Sequence, residues 1–160
     1  MHHVETQYVV SLTQNRRFMY TYKYPRPALT TDALILKKET AEILLIQRGI
    51  EPFKDHWALP GGFVNMDELL EDACKRELLE ETGLSVEKLE QFQVFDGIDR
   101  DPRGRTISVV FYGFVEKDAV VNGGDDAKEA AWFKLDQLPE LAFDHEKVIH
   151  AFLILLGQSR

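Results

Sequence analysis

The segment 61–84, GGFVNMDELLEDACKRELLEETGL, constrains this chain more than any other part of it. Its periodicity predicts a helix from Asp67 to Thr82, with acidic residues at its start and Gly83 as its stop. On a wheel at about 100° per residue, Glu71, Asp72, Lys75 and Thr82 gather on one side, which should face water. Leu70, Ala73 and Cys74 gather on the opposite side, and Glu77, Glu80 and Glu81 fall with them. That is the wrong place for a solvated charge run. Carboxylates at i, i+3 and i+4 repel one another. Partial burial makes their charge costly or favours protonation. A divalent cation relieves both problems. Glu77 and Glu81 lie one turn apart, so they can converge on one ion. All-oxygen ligation suits Mg²⁺ or Mn²⁺ rather than zinc. The ordinary alternative is a solvated acidic helix, and the inward placement counts against it.

The rest of the segment carries a family signature. The spacing Gly62-x5-Glu68-x7-Arg76-Glu77-Leu78-x-Glu80-Glu81-x-Gly83-Leu84 resembles the Nudix box at every defined position. The resemblance covers residues 25–156. It implies a Nudix hydrolase domain over 25–160 and an N-terminal extension over 1–24, whose strands would pack on the domain or on a partner subunit. It also implies an α/β/α sandwich with a mixed sheet. By the same resemblance, Glu77 and Glu81 are metal ligands, Glu80 is a ligand to a second ion, and the carbonyl of Gly61 completes the site. Glu68 and Arg76 form a salt bridge that orients the catalytic loop. Gly62 lets the backbone approach the metal, and Gly83 ends the helix. Such enzymes often recruit one more carboxylate from a later loop. Asp126 is the best placed ahead of Trp132, with Asp125 and Glu129 behind it; an ordinary Gly-Gly-Asp-Asp turn is the competing explanation. Glu77, Glu80, Glu81 and Asp126 are thus the candidate catalytic residues.

The remaining elements are read from alternation and turn residues. Strands are predicted at Ala28–Lys37 and Glu42–Gln47, joined by the turn 38–41. A loop follows over Gly49–Trp57. Ala58–Val64 holds Pro60-Gly61-Gly62 as a tight turn at a strand end. Further strands are predicted at Leu89–Gly97, Arg105–Val115 and Ala130–Lys134, with an amphipathic helix over His145–Leu156. Tyr8–Leu12 and Phe18–Tyr22 are read as strands that could pair as a hairpin around Thr13–Arg17, with a partly helical segment as the alternative. The irregular alternation predicts a mixed α/β sandwich, not a doubly wound parallel sheet.

The substrate must be argued from the loops. Asp99-Arg100-Asp101-Pro102-Arg103-Gly104-Arg105 puts three arginines into six residues of an acidic protein. Guanidinium forks suit phosphate and ribose oxygens, although a solvated turn of Asp–Arg pairs is the commoner origin of such a loop. The stretches DPRGRTISVVFYGF, YPRPALTTDALIL, LLIQRGIEPFKDHWALPGGFV and AFDHEKVI resemble ADP-ribose pyrophosphatases and ADP-ribose-sensing Nudix domains. That resemblance implies hydrolysis of ADP-ribose to AMP and ribose 5-phosphate. Arg103 and Arg105 would hold phosphate or the terminal ribose, with Arg48 as a third cation. Phe53 and Trp57 are candidates to stack an adenine, although plain packing is the commoner role for an aromatic beside Pro60. Phe143-Asp144-His145 either lines the pocket or caps the last helix, and capping is the favoured reading because Asp144 is well placed as an N-cap. Two other activities share the catalytic helix: clearance of oxidised nucleoside triphosphates, and ADP-ribose sensing without turnover. The sensing relatives continue into a DNA-reading domain, and none is expected after Arg160.

Composition narrows the setting. The net charge of −8 and pI near 5.1 disfavour non-specific nucleic-acid binding. An acidic protein that handles phosphate needs local cations, and the arginine loop and bound metal both answer that need. No apolar run is long enough to span a bilayer and no signal peptide is evident. With a single cysteine, Cys74, the expectation is a cytoplasmic protein that acts on a small-molecule nucleotide. A homodimer is expected only by analogy with relatives.

Overall fold

The computed structural model describes residues 8–10, 18–124 and 127–158. In chain order its elements are β1 (Tyr8–Val10), β2 (Phe18–Tyr20), β3 (Ala28–Lys37), β4 (Glu42–Arg48), β5 (Trp57–Ala58), β6 (Gly61–Phe63), α1 (Leu70–Thr82), β7 (Glu90–Phe95), β8 (Thr106–Val115), β9 (Ala127–Lys134) and α2 (His145–Gln158). The fold is a mixed sheet between two helices. The expected N-terminal hairpin is present as β1 and β2, paired antiparallel in a sheet of their own.

Strand β3 is the axis of the domain. Residues Ala33 to Leu36 are all buried, because successive side chains enter opposite apolar layers. Ala33 and Ile35 join the cluster that contains Cys74 and Leu78 of α1. Leu34 and Leu36 join the cluster that contains Val148, Ile149 and Phe152 of α2. One edge of β3 pairs in parallel with β8, from Ala28↔Thr106 to Lys37↔Val115. The other edge is divided: β6 pairs at Thr30–Asp32, and β4 pairs at Leu36–Lys37. Strand β4 carries β5 and β9, and β7 closes the far side on β8. Among the described residues, no helix is long and apolar enough to cross a membrane.

The structure shifts several expected boundaries for local reasons. Helix α1 begins at Leu70, not Asp67. The Glu68 carboxylate accepts the Asn65 N–H (2.7 Å) and also holds Arg76, which fixes the preceding residues as a loop. Thr82 was expected to face water but is fully buried. Its hydroxyl donates to the Leu78 carbonyl (2.6 Å) and accepts from the Leu84 N–H, so burial leaves it satisfied. Gly61 and Gly62 are not a turn: both lie in β6, and the reversal comes before them, at Leu59–Pro60. Strand β9 begins three residues earlier than expected, because it follows β4 down to the bulge at Gln47/Arg48. Gly83 ends α1 in the left-handed region (φ 70°), as the sequence predicts.

Candidate active site

Two glycines bring strand and helix into contact. A Cβ on Gly61 would lie 2.2 Å from the Thr31 carbonyl oxygen, and one on Gly62 would lie 2.5 Å from the Glu77 carboxylate. Only bare backbone fits between β3 and α1 here. The Gly61 N–H donates to Glu81 Oε2 (2.9 Å). The Glu77 and Glu81 carboxylates therefore both rest on the Gly61–Gly62 strand.

The electrostatics of the two differ from those of solvated glutamates. Glu81 is 8% exposed. Burial pushes its carboxyl up to about 8, and neighbouring Glu77 and Asp32 add to the rise, while the Gly61 N–H and the Arg48 charge oppose it. Burial also raises Glu77, against the pull of Arg76. Glu80 departs from its expected place on the apolar side: it is exposed, with its carboxylate 3.1 Å from Arg76 Nη1. Arg76 joins the pieces together. It donates to both oxygens of Glu68 (2.7 and 2.9 Å), to Glu77 (2.7 Å) and to the Phe63 carbonyl (3.1 Å). The hydrogen bonds from Arg76 hold the Glu68 carboxyl below the usual carboxylate range. The loop between β6 and α1 is thereby fastened to the helix that follows it.

This donor set fits a hard divalent ion. Among the described residues, no three His, Cys, Asp or Glu side chains are grouped to hold an ion alone. Mg²⁺ does not require such a cage, since it commonly takes one or two carboxylates and keeps several waters. One buried and one half-buried carboxylate, beside two glycines of a strand, supply that partial set. A cation there would compensate charge that burial otherwise penalises.

The loop entering β9 meets the end of α1. The Asn122 and Gly124 N–H groups donate to the carbonyls of Thr82 (2.9 Å) and Glu81 (3.1 Å). Asp125 and Asp126, which follow, lie outside the described residues. Glu129 is exposed on β9, opposite Gln47.

The arginine loop is more ordered by internal pairs than its sequence indicates. Arg103 forks onto Asp101 (2.7 to 3.3 Å) and lies over the rings of Phe63 and Phe143. Burial pushes Asp101 up, but the hydrogen bonds and charge of Arg103 outweigh it and leave the carboxyl below its usual range. Arg105 braces the loop from within, through the Asp96 and Gly97 carbonyls. Arg48 donates to the Pro52 carbonyl (2.7 Å) and lies over the Phe143 ring at 4.8 Å. Phe53 meets Phe143 edge-on at 4.9 Å. Trp57 instead packs on Phe133 at 4.6 Å, in the layer under α2.

Sequence reasoning missed a buried polar cluster behind this loop. Arg100, with its side chain 5% exposed, forks onto Asp144 (2.7 and 3.1 Å) and lies 3.9 Å from Asp32. Asp144 does precede α2, but its oxygens hold Arg100 rather than cap the helix. Asp32 also accepts from the Ser108 hydroxyl and faces His145 Nε2 at 3.7 Å. His145 Nδ1 accepts the Leu59 N–H (2.9 Å), which places the ring proton of the neutral form on Nε2. Burial depresses the His145 pKa, against the pull of Asp32 and Asp144. The available signal was a lone aspartate inside the apolar strand ALTTDALIL. Arg100, Asp144, Phe53, Phe143, Pro102 and Lys147 line a groove of about 420 Å³.

Residues 26–152 match the family model described as the NUDIX domain. The chain belongs to the Nudix family. This Nudix pyrophosphohydrolase is 48% identical over 130 residues to the ADP-ribose pyrophosphatase of Methanocaldococcus jannaschii, covering 81% of this chain and 75% of that protein. Among solved structures, it is similar to the NUDIX domain of Shewanella oneidensis NrtR complexed with ADP ribose: TM-score 0.77, 28% identity, 83% of this chain and 90% of that one. It is also similar to a bifunctional NMN adenylyltransferase/ADP ribose pyrophosphatase from Francisella tularensis complexed with AMP and a Mn ion: TM-score 0.75, 35% identity, 81% of this chain but 42% of that one. The chain thus spans less than half of the Francisella protein.

Proposed function

We propose that this Nudix enzyme hydrolyses ADP-ribose to AMP and ribose 5-phosphate, using Mg²⁺ or Mn²⁺ held by Glu77 and Glu81. The observation that carries this reading is the pair of carboxylates, Glu81 buried and Glu77 half-buried, pressed onto the Gly61–Gly62 strand, with Arg103 over the ring of the neighbouring Phe63. Glu80 and the Gly61 carbonyl complete the proposed ligand set. When bound, a divalent ion offsets pyrophosphate charge and makes water more acidic.

The chain's own residues do the rest. Arg76 and Glu68 set the angle between loop and helix, so both glutamates keep a fixed place against the strand. Asp126 is the proposed base: it takes a proton from the attacking water, worth a factor of ~10² to 10⁴ in rate. The water oxygen bonds to one phosphorus, and the anhydride P–O bond breaks. Arg103, Arg105 and Arg48 are the proposed cations for phosphate and ribose oxygens. The name of the archaeal relative and the ADP ribose bound to the Shewanella domain support this choice of substrate.

A panel of ADP-ribose, 8-oxo-dGTP, NADH and dinucleoside polyphosphates, compared by kcat/KM with product identification, tests it. ADP-ribose is expected to lead. A preference for 8-oxo-dGTP would assign nucleotide clearance instead, and tight ADP-ribose binding without turnover would assign sensing. Glu81→Gln should keep the fold and lower turnover at saturating metal by at least ~10²-fold. Unchanged turnover would remove Glu81 from the reaction.

A further inference from the structure

Phe53 and Phe143 share an unusual backbone state. Both have positive φ, 61° and 54°, in the left-handed region that bulky side chains rarely adopt. They come from separate loops, yet their rings touch at 4.9 Å and both line the same groove. Such conformations cost free energy and persist where the surroundings enforce them, often at binding sites. Phe143 is where the loops meet: Phe53, Arg48, Arg103 and the ring of His145 all contact its ring. Arg103 also lies over Phe63, in the same strand as the two glycines. The groove therefore opens beside the catalytic strand, with Arg103 between them.

We infer that Phe143, supported by Phe53, is the platform on which the flat base of the nucleotide half stacks, and that it sets the preference for an aromatic base at this end. The inference rests on the pyrophosphohydrolase reading of the site. The lining favours a base over a sugar. Phe53, Pro102 and Phe143 are apolar, and the nearby carboxylates of Asp144 and Asp101 are already occupied by Arg100 and Arg103. A polyhydroxyl ring would need free acceptors, and among the described residues Asp99 is the one groove-lining carboxylate without such a partner. Aromatic rings flanked by guanidinium planes suit any base, because every base has a π-face. The volume of about 420 Å³ is within the ordinary span of small-molecule sites.

The test is calorimetric binding of AMP and of ribose 5-phosphate, separately, to the native protein and to Phe143→Asn and Phe143→Tyr. Asparagine tolerates the left-handed conformation, so the first variant removes the ring without opposing the backbone. Phe143→Asn should weaken AMP by roughly five- to hundredfold, the range of base stacking on aromatics, and leave ribose 5-phosphate within about twofold. Phe143→Tyr should keep native AMP affinity. Equal losses for both ligands, a loss confined to ribose 5-phosphate, or no loss for AMP would each overturn the assignment. A Phe143→Asn protein that does not fold shifts the decision to Phe53→Leu, for which the same selective loss is required. AMP binding needs no turnover, so a native protein that leaves ADP-ribose uncut refutes the substrate reading without deciding this one.

Discussion

Replacing Arg100 by methionine should destabilise the domain far more than loss of a surface arginine. The side chain is 5% exposed, and it supplies both hydrogen bonds that the structure gives the Asp144 carboxylate oxygens (2.7 and 3.1 Å), with Asp32 at 3.9 Å. Methionine fills much of the volume but leaves two aspartates, 10% and 15% exposed, without their cation. Breaking a buried pair from one side typically costs about 3–5 kcal/mol. For a domain of this size each 1 kcal/mol corresponds to about 2–4 °C, so the expected fall in Tm is roughly 6–20 °C. The double variant Arg100→Met/Asp144→Leu should recover most of it, since Asp32 keeps Ser108 and His145. Thermal unfolding followed by tryptophan fluorescence, at low and at high salt, measures this. A buried pair is weakly screened, so the loss should persist in salt. A fall below about 2 °C, or one abolished by salt, would show that the fork behaves as a surface contact and that the loop is held otherwise.

The two glycines should fail differently. Gly61→Ala drives a methyl against the Thr31 carbonyl and should unfold or strongly destabilise the protein; Gly62→Ala first meets the movable end of Glu77, so the fold should survive while activity falls at least ~10-fold. Circular dichroism beside a turnover assay separates them, and a fully active Gly62→Ala would show that the position of Glu77 is not critical. His145 gives a pH signature. Its pKa is below the ordinary 6.5 when folded, although Asp32 and Asp144 pull it up, because burial, with Arg100 and Arg48, prevails. The unfolded chain therefore takes up the proton first, so this contribution is intact above pH 6.5 and is lost as pH falls below it. His145→Gln should flatten that decline in denaturant titrations, and an unchanged slope would assign the loss to other groups. Burial pushes the Cys74 thiol well above its usual range, so a thiol reagent should label it only as fast as the protein unfolds; rapid native labelling would contradict its place on the buried face of α1.

Much of the site is legible in sequence because one helix carries it. The spacing of Glu77 and Glu81 and the stop at Gly83 follow from helical geometry, whereas the partnership of Glu68 with Arg76 came from the family resemblance, because Glu68 lies in the loop before α1. Glu80 and Thr82 were misplaced for a physical reason: a wheel assumes one water-facing side, whereas the end of α1 is covered by residues 122–124, which bury Thr82 and leave Glu80 on the open flank. The cluster of Asp32, Arg100, Asp144 and His145 joins three distant segments. Nothing in the spacing of those residues announces it, and only an aspartate stranded among apolar neighbours hinted at it. Asp144 was read as a cap because the residue before a helix has no visible competitor in sequence, while in space Arg100 reaches it first.

The division of the β3 edge has an evolutionary corollary. The carboxylates proposed to hold the metal belong to α1 and rest on β6, whereas the groove is assembled from the stretches around 53, 97–103 and 143–147. On the proposed reading, mutations that reshape which molecule is accepted can accumulate in those stretches while the residues proposed to break the bond stay untouched. A lineage can trade one leaving group for another without passing through an inert ancestor.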